Sequence, residues 1–271
     1  MNTKLKFWGV RGSIASGPST YGSNTSCVEL ELGNEHSIFF DAGTGIRAAT
    51  HDRKFSKISL FLSHFHWDHI QGIPFISALQ TPEVKIEIIT GFKDARERLL
   101  HLFDKRFHPV GLSEYEGSFE WKVVEPREVY SLGPLKYQTA PLNHPGTSYA
   151  YRIYTDKNSF IYATDSDYDP VFPEASELFK NANWSIMDSQ FLIGDSIAKA
   201  NYGHASFKQA VDVCASHGVK NCVLYHFDPN YKDAELQNIE AQAIEHCRAR
   251  YGDKGPKVQM AKEGMSIDLN F

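Results

Sequence analysis

The stretch from Ser63 to His69 reads Ser-His-Phe-His-Trp-Asp-His and directly follows the largely apolar run Ile58–Leu62. It places four potential metal ligands within six residues: His64, His66, Asp68 and His69. Alternate side chains of an extended chain point the same way, so the first two histidines are expected to bind one ion together. The other two ligands follow where the backbone bends, and they can face a second ion. The string predicts a metal site, and a chance histidine cluster on a solvated loop is the less specific interpretation.

Composition narrows the class of protein. The 271 residues are 42% hydrophobic and 23% charged, which is ordinary for a soluble globular protein. The net charge of −5 argues against an obligate polyanion binder, but a small anionic substrate held by metal ions is compatible with it. Four widely spaced cysteines suggest buried thiols in a reducing compartment. Without a signal-peptide core or a membrane-length apolar run, we expect a cytoplasmic protein that does not associate with membranes.

Short apolar segments separated by Gly, Ser, Asn and Asp predict a strand-rich chain with interspersed helices. Residues 1–271 are expected to form one domain, with two sheets packed face to face, helices outside, and a helical and loop insertion at about 91–117. The predicted strands are Leu5–Val10, Cys27–Leu32, Ser37–Phe40, Ile58–Leu62, Val84–Thr90, Glu120–Val124, Leu135–Ala140, Tyr149–Tyr154, Phe160–Thr164, Trp184–Met187, Cys222–Tyr225, Val258–Met260 and Ser266–Leu269. The predicted helices are Ile70–Leu79, 93–107, Phe207–His217 and Asp233–Tyr251.

Four ligands in one loop cannot saturate two ions, so further ligands are expected at strand ends. Three residues directly follow predicted strands: His144, Asp165 and His226. Each one alone is as readily a turn or capping residue. Together they complete two ligand sets, in which Asp165 bridges both ions with its two oxygens. The first set is His64, His66 and His144, and the second is Asp68, His69 and His226.

The order His-x-His-x-Asp-His, then His, Asp and His, resembles the metallo-β-lactamase-fold hydrolases. It is most similar to their phosphodiesterase branch, which includes ribonuclease Z and the cyclic-phosphate and cyclic-nucleotide phosphodiesterases. The segments Phe7–Ser13 and Tyr21–Cys27 are similar to a bacterial subgroup, and the resemblance runs from about residue 5 to the C-terminus. It implies an α+β fold, a four-layer αββα sandwich with the site at one edge of the sheets. It also implies two divalent metal ions, zinc or manganese with iron also accepted, and a homodimer.

A second motif points to phosphate esters. Asn201–Ser206 resembles the Gly-His-Ser/Thr motif of the phosphodiesterase branch, and Asp188 stands where its partner carboxylate is found. The chain departs from the motif at Ala205, which weakens a hydroxyl role there but leaves His204 in place. His204 is expected to stabilise phosphoryl oxygens or to protonate the departing alkoxide, held by Asp188. The alternative is a histidine that caps the following helix.

Other loop residues have weaker signals. Asp41 is expected either to orient a ligand histidine or simply to form a turn. The resemblance places Arg11, Ser13 and Asn24 near the cleft, where they are expected to bind substrate, although turn chemistry explains the last two almost as well.

These expectations combine into a dinuclear-metal phosphodiesterase, with attack by a hydroxide shared between the ions and with Asp68, Asp188 and His204 as catalytic residues. Mixed charges over 91–117 predict a solvated helix face rather than a tRNA-gripping arm. A small diester, first of all a cyclic nucleotide, is therefore preferred, and nucleic acid is not expected as a partner. The alternatives are a ribonuclease Z-like RNA or tRNA 3′-end endonuclease, a thioester or lactone hydrolase, and a non-catalytic metal-bound sensor.

Overall fold

A computed structural model describes residues 3–33, 35–81, 83–115, 118–192, 194 and 200–271. The strands are β1 (Lys4–Gly9), β2 (Cys27–Glu31), β3 (His36–Phe40), β4 (Lys57–Phe61), β5 (Lys85–Thr90), β6 (Phe119–Val123), β7 (Tyr130–Leu132), β8 (Leu135–Leu142), β9 (Ser148–Tyr154), β10 (Ser159–Ala163), β11 (Trp184–Asp188), β12 (Asn221–Tyr225), β13 (Lys257–Met260) and β14 (Ser266–Asp268). The α-helices are α1 (Gly45–Thr50), α2 (Trp67–Ile70), α3 (Ala95–Leu102), α4 (Pro173–Phe179), α5 (Phe207–Ser216) and α6 (Asp233–Tyr251). Short 3₁₀ turns span Ile73–Phe75, Ser77–Gln80, Leu112–Glu114, Ala200–Tyr202 and Gly252–Lys254.

The strands form two seven-stranded sheets of matching design. The first has the order β14-β1-β2-β3-β4-β5-β6 and the second β13-β12-β11-β10-β9-β8-β7. In the first sheet β3 to β6 run parallel, and in the second β10 to β13 do. The remaining neighbours pair antiparallel. The last two strands lie at the edges of different sheets, β13 in the second and β14 in the first.

Aromatic side chains join the inner faces of the two sheets. The ring of Phe40 lies 5.2 Å from that of Phe160, and Phe61 lies 5.1 Å from Tyr151. Strand β10 is buried at every position because helices cover its outer face as well. Each such fully buried aromatic contributes about 2 kcal/mol of hydrophobic free energy. The predicted α+β sandwich of two packed sheets with outer helices is confirmed.

The helix predicted over Ile70–Leu79 is wrong. The chain instead forms the short helix α2 and then two 3₁₀ turns. Pro74 lacks the N–H that a continuing α-helix requires. Gly72 sits so close to Gly43 that a Cβ there would lie 2.1 Å from the Gly43 carbonyl oxygen. The close packing of Gly72 against Gly43, just after the Ser63–His69 string, therefore prevents a regular helix.

Three short elements were not predicted: β7, α1 and α4. Each spans three to seven residues, too few for a periodic pattern to stand out. The segment expected as an insertion at 91–117 is the connection between the parallel strands β5 and β6, and α3 packs its Leu99 and Leu102 onto the outer core of the first sheet. Residues 116 and 117 of it lie outside the described part. None of the helices described is both long and apolar enough to cross a membrane.

Candidate metal centre

Strand ends from both sheets meet at one edge of the sandwich. Because β3 and β4 are parallel neighbours, and β10, β11 and β12 are too, their carboxyl ends lie together. The residues at these ends are Asp41 after β3, the Ser63–His69 string after β4, Asp165 after β10, Asp188 at the end of β11, and His226 after β12. His144 follows β8. All seven predicted metal ligands are thus brought to one place.

Three of these residues leave their strands in the left-handed backbone region. The φ angles are 58° at Asp41, 54° at Asp165 and 65° at His226. This conformation costs a residue other than glycine about 1 kcal/mol, so the surrounding structure must hold it. It turns each side chain sharply from its strand toward the cluster.

The first group of ligands consists of His64, His66, His144 and Asp165. One ligand atom from each lies within 4.8 Å of the others. His144 Nε2 is 3.1 Å from His66 Nδ1, and His64 Nε2 is 3.6 Å from Asp165 Oδ2. The arrangement offers three imidazole nitrogens and one carboxylate oxygen, a donor set that zinc, manganese and iron accept.

The second group consists of Asp68, His69, His226 and Asp165, with ligand atoms again within 4.8 Å of one another. His226 Nε2 lies 3.1 Å from Asp68 Oδ2 and 3.2 Å from His69 Nε2. Asp165 Oδ1 is 3.3 Å from both histidine Nε2 atoms, whereas its Oδ2 faces the first group. One oxygen of Asp165 therefore faces the first group and the other faces the second, as the prediction that Asp165 bridges the two ions requires.

Asp188 and His204 form a pair beside the two ligand groups. His204 Nδ1 donates to Asp188 Oδ2 at 2.7 Å and lies 3.9 Å from Asp165 Oδ2. Burial lowers the pKa of His204, but the surrounding carboxylates, Asp188 first and then Asp165 and Asp68, together raise it above its ordinary value. Asp188 also accepts the backbone N–H groups of Ser166 and Gln190, which fix the carboxylate. With Nδ1 engaged, His204 can present Nε2 to a substrate.

Burial and neighbouring charge give His64, His144 and Asp68 the protonation states that bind cations, whereas His69 is an exception. Burial lowers the pKa of His64 well below its ordinary value and that of His144 to about 4. Burial opposes ionisation of Asp68, yet the adjacent imidazoles, His69 first, hold its pKa well below the usual range. For His69 burial lowers the pKa, but the surrounding carboxylates, Asp165 first, raise it well above normal. A divalent cation would displace that proton, because imidazole coordinates in its neutral form.

A buried nitrogen that faces the first group, His64 Nε2, has no hydrogen-bond partner in the described part of the chain, which supports a metal at this place. An unpartnered buried polar atom normally costs about 1–3 kcal/mol unless a ligand satisfies it. The residues present therefore fit a pair of divalent ions.

Asp41 supports the second group from behind. Its Oδ2 accepts from His69 Nδ1 at 2.7 Å and from the hydroxyls of Ser63 and Tyr162 at 2.7 and 2.8 Å. Its Oδ1 accepts the Ser63 N–H at 2.7 Å. A metal-binding histidine whose other nitrogen donates to a carboxylate is held in one tautomer and orientation. These contacts agree with the prediction that Asp41 orients a ligand histidine. The positive φ at Asp41 also agrees with the turn prediction, so the residue fits both.

Of the three residues expected to bind substrate, only Ser13 is at the metal groups. Its N–H donates to Asp68 Oδ2 at 2.7 Å, and its side chain is exposed. Asn24 lies farther back, where its amide donates to Glu263 and accepts from the Thr44 hydroxyl. Asn24 therefore connects loops within the fold.

Arg11 has a different environment from the one expected, because its side chain is 1% exposed. Its guanidinium donates to the carbonyls of Gly22, Asp228 and Tyr231 and to Ser19 Oγ, at 2.9 to 3.1 Å. These bonds join the N-terminal loop to the segment after β12 and occupy the donors that a phosphate would need. Arg11 therefore stabilises the fold and is not among the proposed substrate contacts.

Arg11→Met is expected to lower the free energy of unfolding by about 3 kcal/mol, because buried carbonyls lose their donors. Urea unfolding followed by circular dichroism measures this change. Arg47→Met, at an exposed position of α1, is the matched control and should change the value by less than about 0.5 kcal/mol. A tenfold rise in KM with unchanged stability would instead restore Arg11 as a substrate contact.

Three residues of the site were given no role by the sequence, although Gly12 and Gly203 lie in segments that carry the family resemblance. Gly12 leaves room for His226, since a Cβ there would lie 2.6 Å from that ring's Cε1. The Gly203 carbonyl accepts from His144 Nδ1 at 2.9 Å. Gln190 is 3% exposed and bonds to Ser13 Oγ. Gly203 and Gln190 stood beside recognised residues, but nothing in a local pattern shows which distant side chain they meet.

Two packed sheets flanked by helices, with a His/Asp cluster for a pair of ions at the carboxyl edge, define a metal-binding αββα sandwich. Residues 36–227 match the family model described as "Beta-lactamase superfamily domain", and the chain belongs to that family. Ribonuclease Z of Prochlorococcus marinus (strain NATL1A) is 22% identical over 94% of this chain and 97% of that protein.

Solved structures show the same fold over nearly the whole chain. The metallo-beta-lactamase fold protein YhfI from Bacillus subtilis superposes with a TM-score of 0.76 at 20% identity, covering 99% of this chain and 100% of that one. A diphosphatase from the PhnP family gives a TM-score of 0.71 at 16% identity, with coverage of 99% and 98%. Together with the sequence relative, these comparisons confirm the predicted fold and the resemblance to the phosphodiesterase branch.

Proposed function

We propose that this protein is a metal-dependent phosphodiesterase that hydrolyses a small phosphodiester, first of all a cyclic nucleotide. One observation carries the proposal: Asp165 stands between two ligand groups, and the Asp188–His204 pair adjoins both. The ligand groups suit two divalent ions, and the pair supplies a proton donor at the same place. Phosphodiester hydrolysis needs both, because negative charge grows on the phosphoryl oxygens and on the departing alkoxide.

When bound, divalent ions at these groups would lower the pKa of water to about 7 and offset the charge of the phosphoryl oxygens. His64, His66 and His144 would hold one ion, Asp68, His69 and His226 the other, with Asp165 between them. Zinc and manganese are both proposed, with iron compatible, since nitrogen and oxygen donors suit all three.

His204 and Asp188 supply the proton that the reaction requires. Asp188 accepts from His204 Nδ1 and, by raising the pKa of the ring, keeps a proton available on the imidazole. His204 then donates from Nε2 either to a phosphoryl oxygen or to the departing oxygen. The Ser13 N–H holds Asp68 Oδ2, so the exposed Ser13 side chain stands where substrate would approach the second ligand group.

Charge pairing in the 91–117 connection favours a small substrate over a polynucleotide. Arg98 bonds to Asp94 at 2.8 Å, and Lys105 to Glu114 at 2.8 Å. Arg106 also pairs with an aspartate. These cations are compensated locally and form no uniform basic strip of the kind that grips a phosphate backbone. The net charge of −5 also disfavours the binding of a polynucleotide, which is itself negatively charged.

RNA cleavage is the second candidate, because the sequence relatives are named ribonuclease Z. They weaken the expectation that nucleic acid is excluded as a substrate. The alignment with the Prochlorococcus protein spans 316 positions against the 271 residues of this chain, so the relative contains segments that this chain lacks.

Incubating metal-loaded protein with 3′,5′- and 2′,3′-cyclic nucleotides and a precursor tRNA, with and without chelator, tests the proposal by chromatography. We expect chelator-sensitive opening of at least one cyclic nucleotide and intact tRNA. Cut tRNA with intact cyclic nucleotides would establish the nuclease instead. No turnover of any diester would contradict both, and would leave thioester or lactone hydrolysis or a non-catalytic sensor. Light scattering and cell fractionation test the accompanying proposals of a homodimer and a cytoplasmic location.

A further inference from the structure

The buried histidines of the metal groups differ in what their second ring nitrogen contacts. His69 Nδ1 meets Asp41, and His144 Nδ1 donates to the Gly203 carbonyl. His64 Nδ1 lies 3.0 Å from Ser63 Oγ, which already donates to Asp41 and so can accept. Each of these histidines therefore has a neighbour that fixes its tautomer. Among the described residues, His226 Nδ1 has no such bond.

Metal coordination by His226 Nε2 requires an acceptor for Nδ1–H, since the neutral ring then carries its proton on Nδ1. Asp188 Oδ2 is 3.9 Å away, beyond hydrogen-bond range, and already accepts from His204 and Ser166. A different acceptor is needed.

Gln190 provides one. Its side-chain oxygen, Oε1, is buried and has no partner in the described structure. A Cβ placed on Gly12 would lie 2.7 Å from His226 Nδ1 and 3.0 Å from Gln190 Oε1, so the two unpartnered atoms border the same small gap. One is a donor and the other an acceptor. A small rotation of the amide, or one bridging water, would join His226 Nδ1 to Gln190 Oε1 across the gap beside Gly12, which has no side chain to fill it.

The other end of the Gln190 amide fixes its orientation. Nε2 donates to Ser13 Oγ at 2.9 Å, which turns Oε1 toward the histidine. The Gln190 backbone N–H donates to Asp188 Oδ1 at 2.9 Å. Ser13 in turn donates its N–H to Asp68 Oδ2. Gln190 is therefore linked to both carboxylates that flank His226, to Asp188 through its own backbone N–H and to Asp68 through Ser13.

We propose that Gln190 is a positioning residue that accepts from His226 Nδ1–H and thereby holds this ligand in the tautomer that binds the second ion. The inference rests on the proposed metal-binding role of the site. Loss of the carbonyl oxygen should weaken binding of one ion of the pair and leave the other ion unaffected, because His64 and His144 have their own partners.

Gln190→Met, which keeps the length of the side chain and removes its polar atoms, tests the proposal. Titration of the metal-free protein with zinc against a competing chelator should show two ions in the wild type. In the variant, affinity for one of them should fall about 10- to 100-fold. Nitrogen-15 spectra of histidine-labelled metal-free protein should show His226 as the Nδ1–H tautomer in the wild type and as a tautomer mixture in the variant. Gln138→Met, a half-buried glutamine on β8, is the matched control and should preserve both readings.

Gln190→Glu keeps an acceptor and should retain the wild-type tautomer and at least wild-type affinity for both ions. This variant keeps the test decisive if the methionine variant does not fold, because loss of one ion from the glutamate variant would contradict the proposal. Unchanged affinity and tautomer in folded Gln190→Met would also overturn it, while the proposed function would stand. A wild type that binds no ion pair would instead refute the metal site itself.

Discussion

Asp165→Asn is expected to abolish binding of the ion pair and to lower kcat by about 10³-fold or more, equivalent to about 4 kcal/mol of barrier. Asp165 is the residue common to both ligand groups, with Oδ2 toward His64 and Oδ1 toward His69 and His226. The amide has the same shape but carries no charge, and it replaces one acceptor oxygen with a donor NH₂ group. Two adjacent cations would then lose the anion that offsets their repulsion.

Metal content after dialysis, measured by inductively coupled plasma mass spectrometry, should fall from two ions per chain to one or fewer. Asp167→Asn is the matched control. Asp167 lies two residues along the same loop, is half-buried, and accepts from Asn143 rather than facing the ligand groups. Its variant should keep two ions and activity within about threefold. Retention of both ions and a kcat within tenfold in Asp165→Asn would refute the bridging role.

His204→Ala is expected to lower kcat/KM by about 10²- to 10⁴-fold on esters with an alkoxide leaving group, the usual range for proton donation. An alkoxide needs a proton as it departs, and His204 Nε2 is the proposed source. On a bis(p-nitrophenyl) ester the loss should stay below about tenfold, because p-nitrophenolate is stable enough to leave unprotonated. The contrast between the two substrates identifies the role, and parallel kinetics on both esters measure it.

Asp188→Asn should show the same dependence on the leaving group with a smaller loss, because it removes the charge that holds the His204 ring and raises its pKa. His246→Ala is the control, since that histidine pairs with Asp212 on the outer helices. Equal losses on both kinds of ester would show that His204 stabilises phosphoryl charge rather than protonating the leaving group. Little loss on either would favour a hydrolase of thioesters or lactones, which does not require this pair.

Much of the candidate site could be predicted because its ligands have short-range signals. His64, His66, Asp68 and His69 are contiguous, and the other ligands directly follow apolar strands. A strand buried on both faces is recognisable from its composition, and its carboxyl end is where a parallel sheet presents polar side chains. The motif around His204 indicated a pair with Asp188, and the structure places them 2.7 Å apart.

The predictions that did not agree with the structure concern neighbours far away in sequence. Arg11 was expected to bind substrate because the family resemblance places its loop near the cleft. Its donors are taken by carbonyls of residues more than 200 positions away as well as by nearby ones. The helix expected over Ile70–Leu79 is broken by the closeness of Gly72 to the distant Gly43, and also by Pro74 within the segment itself.

The sequence by itself determined every described strand except β7, the two longer C-terminal helices, the ligand types and the metal-binding character, because periodicity and residue chemistry act over a few positions. Only the tertiary structure decided that Arg11 is buried and that Gln190 faces His226 across Gly12. Such contacts join residues that lie far apart in the sequence, and no local pattern indicates which distant residues will meet.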